Sequence, residues 1–378
     1  MRTFAAVAAA VALALTVAAP AAAFETQAEY AILLDYDTGA VLFEKQPDDL
    51  MAPASMSKIM TAYMVFEALR DGRVSLEDEL PVSETAWRKG GSKMFVEVGK
   101  RVGVEDLLRG IIVQSGNDAC IVVAEGLAGS EEAFARAMTE RARSLGMTRS
   151  TFVNATGWPD PNQMMTAREL AILARAMISE FPEFYHYYSE KTFTFNEIKQ
   201  GNRNPLLYKE IGADGLKTGH TEESGYGLTA SVKRGDRRLV MVVNGLESVR
   251  ARSEESEKLV EWGFREFGNY ALFEAGEPVD EVAVWLGDRG TVPVVLRDDL
   301  TVTLPRAARQ KMTVKVVYDG PVPAPLKKGT EVATLVVEAP DTLPIERPLY
   351  ALDPVGQLDF LGRITSAAGY LLWGPSQP

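Results

Sequence analysis

Three short groups of residues have the types and spacing that acyl transfer through a serine requires. The first is Ser55-Met56-Ser57-Lys58. A serine hydroxyl is a poor nucleophile until a neighbouring base takes its proton. A lysine three positions on, sharing a helix face, can be that base if its surroundings lower its pKa. A helix start also offers free N–H groups and positive partial charge, which suit an oxyanion. The second group is Ser115-Gly116-Asn117. Its hydroxyl can relay a proton to a leaving amine, and its amide can hold a substrate carbonyl and orient the lysine. The third is Lys217-Thr218-Gly219, followed by His220. Lys217 offers fixed positive charge and Thr218 a hydroxyl for a carboxylate. Gly219 removes a side chain so that a substrate can lie along a strand edge. Singly these are weak signals: composition alone yields a Ser-x-x-Lys about once in a chain this long.

The flanking sequence supplies elements to hold them. Residues 30–36 and 40–44 read as a hairpin around Asp37-Thr38-Gly39. The spacing of Ile59, Ala62, Tyr63, Phe66 and Leu69 predicts a helix over 57–69, with Pro53 just before it. The Ser-Gly-Asn group interrupts two apolar helices. Ser130 and Gly146 bracket a further helix, and 167–178 is again helical. Lys217 falls on a strand. Residues 227–233 and 238–244 alternate around Gly235-Asp236 as an antiparallel hairpin, and 252–267 reads as a closing helix. Beyond 272 the texture changes to short strands at 282–286, 292–296, 300–304, 312–318 and 331–338, an all-β, sandwich-like unit.

Composition narrows the function. The 378 residues carry a formal net charge of −12, which disfavours nucleic acid as a partner. Two histidines, His186 and His220, argue against a zinc site. The single cysteine, Cys120, reads as a buried apolar residue, and His186 as structural among its aromatic neighbours. No metal or cofactor is expected. Residues 1–23 combine Arg2, an Ala/Val/Leu run and Ala21-Ala22-Ala23, the pattern of a cleaved export signal; a membrane anchor is the other reading.

The three groups occur in the order of the Ser-x-x-Lys, Ser-Asp-Asn and Lys-Thr-Gly set of penicillin-binding proteins and class A β-lactamases, with Gly116 where that set has Asp. The likeness extends to residues 53–61, 114–120, 193–198, 202–204, 214–221 and 254–264. Over residues 25–270 the chain resembles low-molecular-mass penicillin-binding proteins of the D-alanyl-D-alanine carboxypeptidase type. The resemblance implies an α+β catalytic domain over 24–271, with an antiparallel sheet flanked by helices plus a helical subdomain. A β-rich domain over 272–350 and an amphipathic tail over 351–378 would follow. It implies that Ser55 attacks the carbonyl between two terminal D-alanines and Lys58 takes its proton. The N–H groups of Ser55 and His220 would form the oxyanion hole. Ser115 with Lys217 would protonate the leaving D-alanine, and Asn117 would orient substrate. Thr218 and Arg252 would bind the terminal carboxylate, with Arg203 in support. The implied partners are the peptidoglycan stem pentapeptide and β-lactams as covalent inhibitors.

Other readings stay open at this point. A D,D-endopeptidase needs the same residues. A β-lactamase needs an additional deacylating base that is not evident. A non-catalytic peptidoglycan-binding protein would be expected to lack one of Ser55, Lys58, Ser115 or Lys217. The tail places Leu358, Leu361, Ile364, Ala368, Leu371 and Leu372 near one helical face, beside Tyr370 and Trp373. Its only cation is Arg363, so membrane attachment on the periplasmic side would rest on apolar insertion.

Overall fold

A computed structural model describes residues 24–362 and 364. The expected export signal and most of the tail beyond Arg363 therefore lie outside the described residues. The chain opens with β1 (Tyr30–Asp35) and β2 (Val41–Lys45), then α1 (Lys58–Arg70). A mostly helical stretch follows: β3 (Glu79–Pro81), α2 (Glu84–Arg88), β4 (Arg101–Gly103), α3 (Val104–Ile112), α4 (Asn117–Ala128), α5 (Glu131–Ser144) and α6 (Ala167–Glu180). After the small hairpin β5 (Thr192–Phe195) and β6 (Ile198–Gly201) come three long strands, β7 (Ala213–Thr221), β8 (Gly225–Arg234) and β9 (Arg237–Leu246), and then α7 (Val249–Glu266).

The central sheet is antiparallel with strand order β2-β1-β9-β8-β7, so β7 is an edge. Side-chain alternation divides its two faces. Ile32, Leu34, Val240 and Val242 join the core under α1 and α6. Ala31, Leu33, Met241 and Val243 join a second core under α7. A strand with both faces covered reads as a continuous apolar run, which is why residues 30–35 show no clean alternation. Helix α4 is buried from Asn117 to Ala124, as expected of a helix surrounded by α1, α3 and α5.

The β domain comprises β10 (Phe267–Phe273), β11 (Pro278–Trp285), β12 (Thr291–Val295), β13 (Leu300–Pro305), β14 (Thr313–Val317), β15 (Val322–Pro323), β16 (Glu331–Glu338) and β17 (Ile345–Ala351). Six strands pair in the order β14-β16-β17-β12-β11-β15, and the β10–β13 ribbon closes over the same apolar core. Two expected boundaries shift. Helix α7 runs directly into β10, so a division at 271/272 would cut a paired strand. Residues 351–357 belong to the β domain and not to a tail: Val355 is buried and bridges Leu326, and Gln357 bridges Gly287. Helical structure begins only at Phe360, where Phe360, Leu361 and Ile364 are exposed. No helix among the described residues is long and apolar enough to cross a membrane.

The domains meet at a polar junction. Buried Asp35 pairs with Arg237 at 2.9 Å and accepts from Asn269 Nδ2 at 3.1 Å. Thr303 Oγ1 donates to Asn269 Oδ1 at 2.9 Å and meets Thr38 Oγ1 at 2.5 Å.

Candidate active site

The Ser-x-x-Lys group does not sit on an α-helix. Residues Ala54–Ser57 form one 3-10 turn, and α1 begins at Lys58. A 3-10 turn has three residues per revolution, so positions i and i+3 eclipse. Ser55 and Lys58 are therefore aligned more directly than an α-helix would allow. Lys58 Nζ donates to Ser55 Oγ at 2.9 Å and also to the Thr156 carbonyl. Lys58 is 1 % exposed, and burial lowers its pKa to about 8. Desolvation penalises the ammonium, which is the condition for a lysine base.

The second group forms the tight connection between α3 and α4. Ser115 has φ +60°, a left-handed conformation that a non-glycine residue holds only under tertiary constraint. Lys217 Nζ, reaching from β7, donates to Ser115 Oγ at 3.0 Å. Burial also pushes the Lys217 ammonium well below the ordinary lysine range, with Lys58 and Arg203 adding to the effect. The fixed positive charge expected of Lys217 is therefore not what this environment favours; an arriving carboxylate would favour it. Asn117 Nδ2 donates to Gly90 O at 2.9 Å instead of orienting a lysine, so its donor holds the loop over the cleft.

Gly219 has a different reason from the one expected. A Cβ there would lie 2.7 Å from Pro53 O and 3.1 Å from Met56 Cγ. The missing side chain lets β7 approach the Ser55 turn, and clearance for substrate is not what demands glycine. Thr218 is buried on the same strand. His220 is exposed and stacks on Tyr226, with ring centroids 3.9 Å apart. Arg252 is 5 % exposed, donates to Arg203 O at 3.3 Å, and is pushed down to about 10 by burial. Arg203 reaches Ser92 Oγ at 2.7 Å. Buried Asn202 and Asn204 pin the backbone on either side of it, Asn204 through Gly215 O at 2.8 Å. Cys120 is buried and its thiol is pushed up to about 12 by burial, which suits a packing role. His186 is exposed and rests on Tyr187.

Two functional groups escaped sequence reasoning. Asn154 Oδ1 accepts the N–H groups of Thr156, Gly157 and Trp158 at 3.1, 2.8 and 3.1 Å, which sets the carbonyl that holds Lys58. Asp118 accepts from Met94, Phe95 and Val96 at 2.9, 2.9 and 3.2 Å, which shapes the loop lying over Asn117. Asn154-Ala-Thr-Gly157 has the composition of an Asx turn, and that was the available signal. Asp118 offered none beyond its place next to Asn117.

This geometry has known counterparts. Residues 14–248 match the D-alanyl-D-alanine carboxypeptidase family, and residues 267–357 match the penicillin-binding protein 5 C-terminal domain. The carboxypeptidase DacC of Escherichia coli is 40% identical over 341 residues, covering 88% of this chain and 85% of that one. The crystal structure of penicillin binding protein 5 from Haemophilus influenzae superposes with a TM-score of 0.80 at 37% identity, covering 90% of this chain and all of that one. A D-alanyl-D-alanine endopeptidase of Pseudomonas aeruginosa is 32% identical over 207 residues, covering 52% of this chain and 64% of that one. Matched along both domains, the chain belongs to the D-alanyl-D-alanine carboxypeptidase family.

Proposed function

We propose that this D-alanyl-D-alanine carboxypeptidase works through an acyl-enzyme on Ser55. The observation that carries the reading is the pair of lysine–serine hydrogen bonds, Lys58–Ser55 at 2.9 Å and Lys217–Ser115 at 3.0 Å, with Lys58 near enough to Lys217 to lower its pKa. Neutral Lys58 takes the Ser55 proton as Oγ attacks the carbonyl between the two terminal D-alanines. The backbone N–H groups of Ser55 and His220 stabilise the oxyanion. Ser115, hydrogen-bonded to Lys217, helps protonate the departing D-alanine amine. Thr218 and Arg252 bind the terminal carboxylate, with Arg203 at the rim, and Asn117 supports the acyl portion. Water then hydrolyses the ester. The substrate is the stem pentapeptide of peptidoglycan, and β-lactams acylate the same serine. An endopeptidase reading is weaker, because the likeness to the carboxypeptidases spans far more of the chain.

Export follows from residues 1–23, and peripheral attachment to the periplasmic face of the membrane from the apolar tail. A truncation after Asp359, which keeps the β domain whole, would defeat the latter if it left the protein equally membrane-bound. The central test is release of D-alanine from diacetyl-L-lysyl-D-alanyl-D-alanine by the purified protein. Release abolished in Ser55→Ala, together with loss of fluorescent-penicillin labelling, supports the assignment. Release that persists in Ser55→Ala sinks it.

A further inference from the structure

The six-stranded sheet of the β domain ends in two unlike edges. At one end β15 pairs with β11 only through Val322 and Pro323. Pro321, Pro323 and Pro325 deny that edge backbone donors, a common protection of an exposed strand. At the other end β14 pairs with β16 from Thr313 to Val317, and no strand among the described residues pairs with its outer side. This edge has no proline, and Val314 and Val317 are 38 % and 54 % exposed. Such a strand presents a row of free N–H and C=O groups to whatever can pair with it.

The side chains of β14 are ordered so that the strand complements its own antiparallel copy. One face carries Thr313, Lys315, Val317 and, just past the strand, Asp319, all exposed. Val316, on the other face, packs against the core. A two-fold axis at Val317 places each Lys315 opposite the second copy's Asp319 and sets Val317 against itself. Beside Val317 is a hollow of about 410 Å³ whose walls include Tyr318, Asp319, Val322, Glu331 and Val332. Asp319 and Glu331 are exposed and make no ion pair among the described residues. The second copy's Lys315 comes alongside this hollow, its stem toward Val322 and Val332 and its ammonium toward the two carboxylates. In the single chain Lys315 donates to Glu338 at 2.6 Å, an exposed pair that costs little to exchange.

We propose that the outer edge of β14 is a self-association surface, through which two copies of this chain join their β domains as an antiparallel ribbon. Hydrogen bonds between the two edge backbones supply the affinity, and the Lys315–Asp319 pairs fix the register. An axis moved to Val316 would set Lys315 opposite Val317 and lose both pairs. An axis at Lys315 would bring the two ammonium groups face to face. The ribbon is short, so the association is weak, as expected of a small interface. It uses no residue of the cleft, so it is independent of the acyl-transfer reading.

The test is sedimentation equilibrium of the full-length protein from about 10 µM to about 1 mM, the range in which so small an interface dissociates. The weight-average mass is expected to rise from one chain toward two. Lys315→Glu alone, or Asp319→Lys alone, sets like charges opposite each other and should weaken dimerisation about tenfold. The double variant, Lys315→Glu with Asp319→Lys, restores both pairs with their signs exchanged. It should recover association to within about threefold of the unaltered protein. A local disturbance of the edge would not be rescued in this way. The mass of a single chain at every concentration would overturn the proposal. So would a dimer that neither single reversal weakens, which would place the contact in the tail or on another face, and so would a double variant no stronger than the singles.

Discussion

The catalytic domain and the β domain are held together by opposite means. Around the cleft, Lys58, Lys217, Arg252, Asn117, Asp118, Asn154 and Asn204 are all buried. In the β domain the core is Val, Leu and Ala throughout, and Thr303, which faces the junction, is the one buried polar residue among those described beyond 271. Burying polar groups costs stability unless each finds a partner. The proposed acyl transfer would account for that cost in the first domain, since it needs desolvated, preorganised groups. The second has no such demand, so apolar burial alone stabilises it. Activity should therefore depend on residues of the first kind and stability on residues of the second, and each prediction below tests that division.

The largest effect is expected at Ser55. Ser55→Ala should lower D-alanine release by more than about 10³-fold with the fold intact by circular dichroism. A pH profile comes next. A lysine base works only when neutral, so with the Lys58 pKa at about 8 the kcat/KM should approach a tenfold fall per unit well below that, or roughly 50-fold from pH 8 to pH 6. An acid limb centred near pH 6 would place the base elsewhere. The same group has a stability signature of definite sign. Its pKa is lowered on folding from 10.5 to about 8, so the unfolded chain binds more protons between those values. Stability should rise with pH across that window, and urea midpoints would show it.

Asn154→Ala should cost about tenfold in kcat, because the loop presenting Thr156 O to Lys58 loses three hydrogen bonds. Unaltered kcat would mean that Lys58 is held without that carbonyl. In the β domain, Leu335→Ala should lower stability by about 2–5 kcal/mol in denaturant titration and leave kcat/KM on a soluble peptide unchanged at 25 °C. A matching loss of activity would break the division between the domains. Thr303→Val, at the junction, should cost only about 1 kcal/mol.

Legibility followed the same division. The Ser-x-x-Lys, Ser-Gly-Asn and Lys-Thr-Gly groups were readable because each is contiguous, and the long elements were readable because burial imposes a period. Strand β17 was missed for a definite reason. Residues 345–351 contain Arg347 and Pro348, and a proline is disfavoured in a central strand. It is tolerated because β12 pairs β17 only at Tyr350 and Ala351, so Pro348 has a ladder neighbour on the β16 side alone. Asn154 and Asp118 were missed because their partners are backbone groups, which have no residue type to mark them.

The amino-acid sequence by itself determined the chemistry available to this protein: which hydroxyls, amines and guanidinia exist, in what order, and on which elements. Tertiary structure alone decided that Ser55 sits on a 3-10 turn, that Gly219 admits β7 against Pro53, and that burial lowers the pKa of both Lys58 and Lys217. The physical reason is that a pKa and a close approach depend on what surrounds a group in space. Those surroundings come from segments as distant as residues 54, 115, 156 and 217.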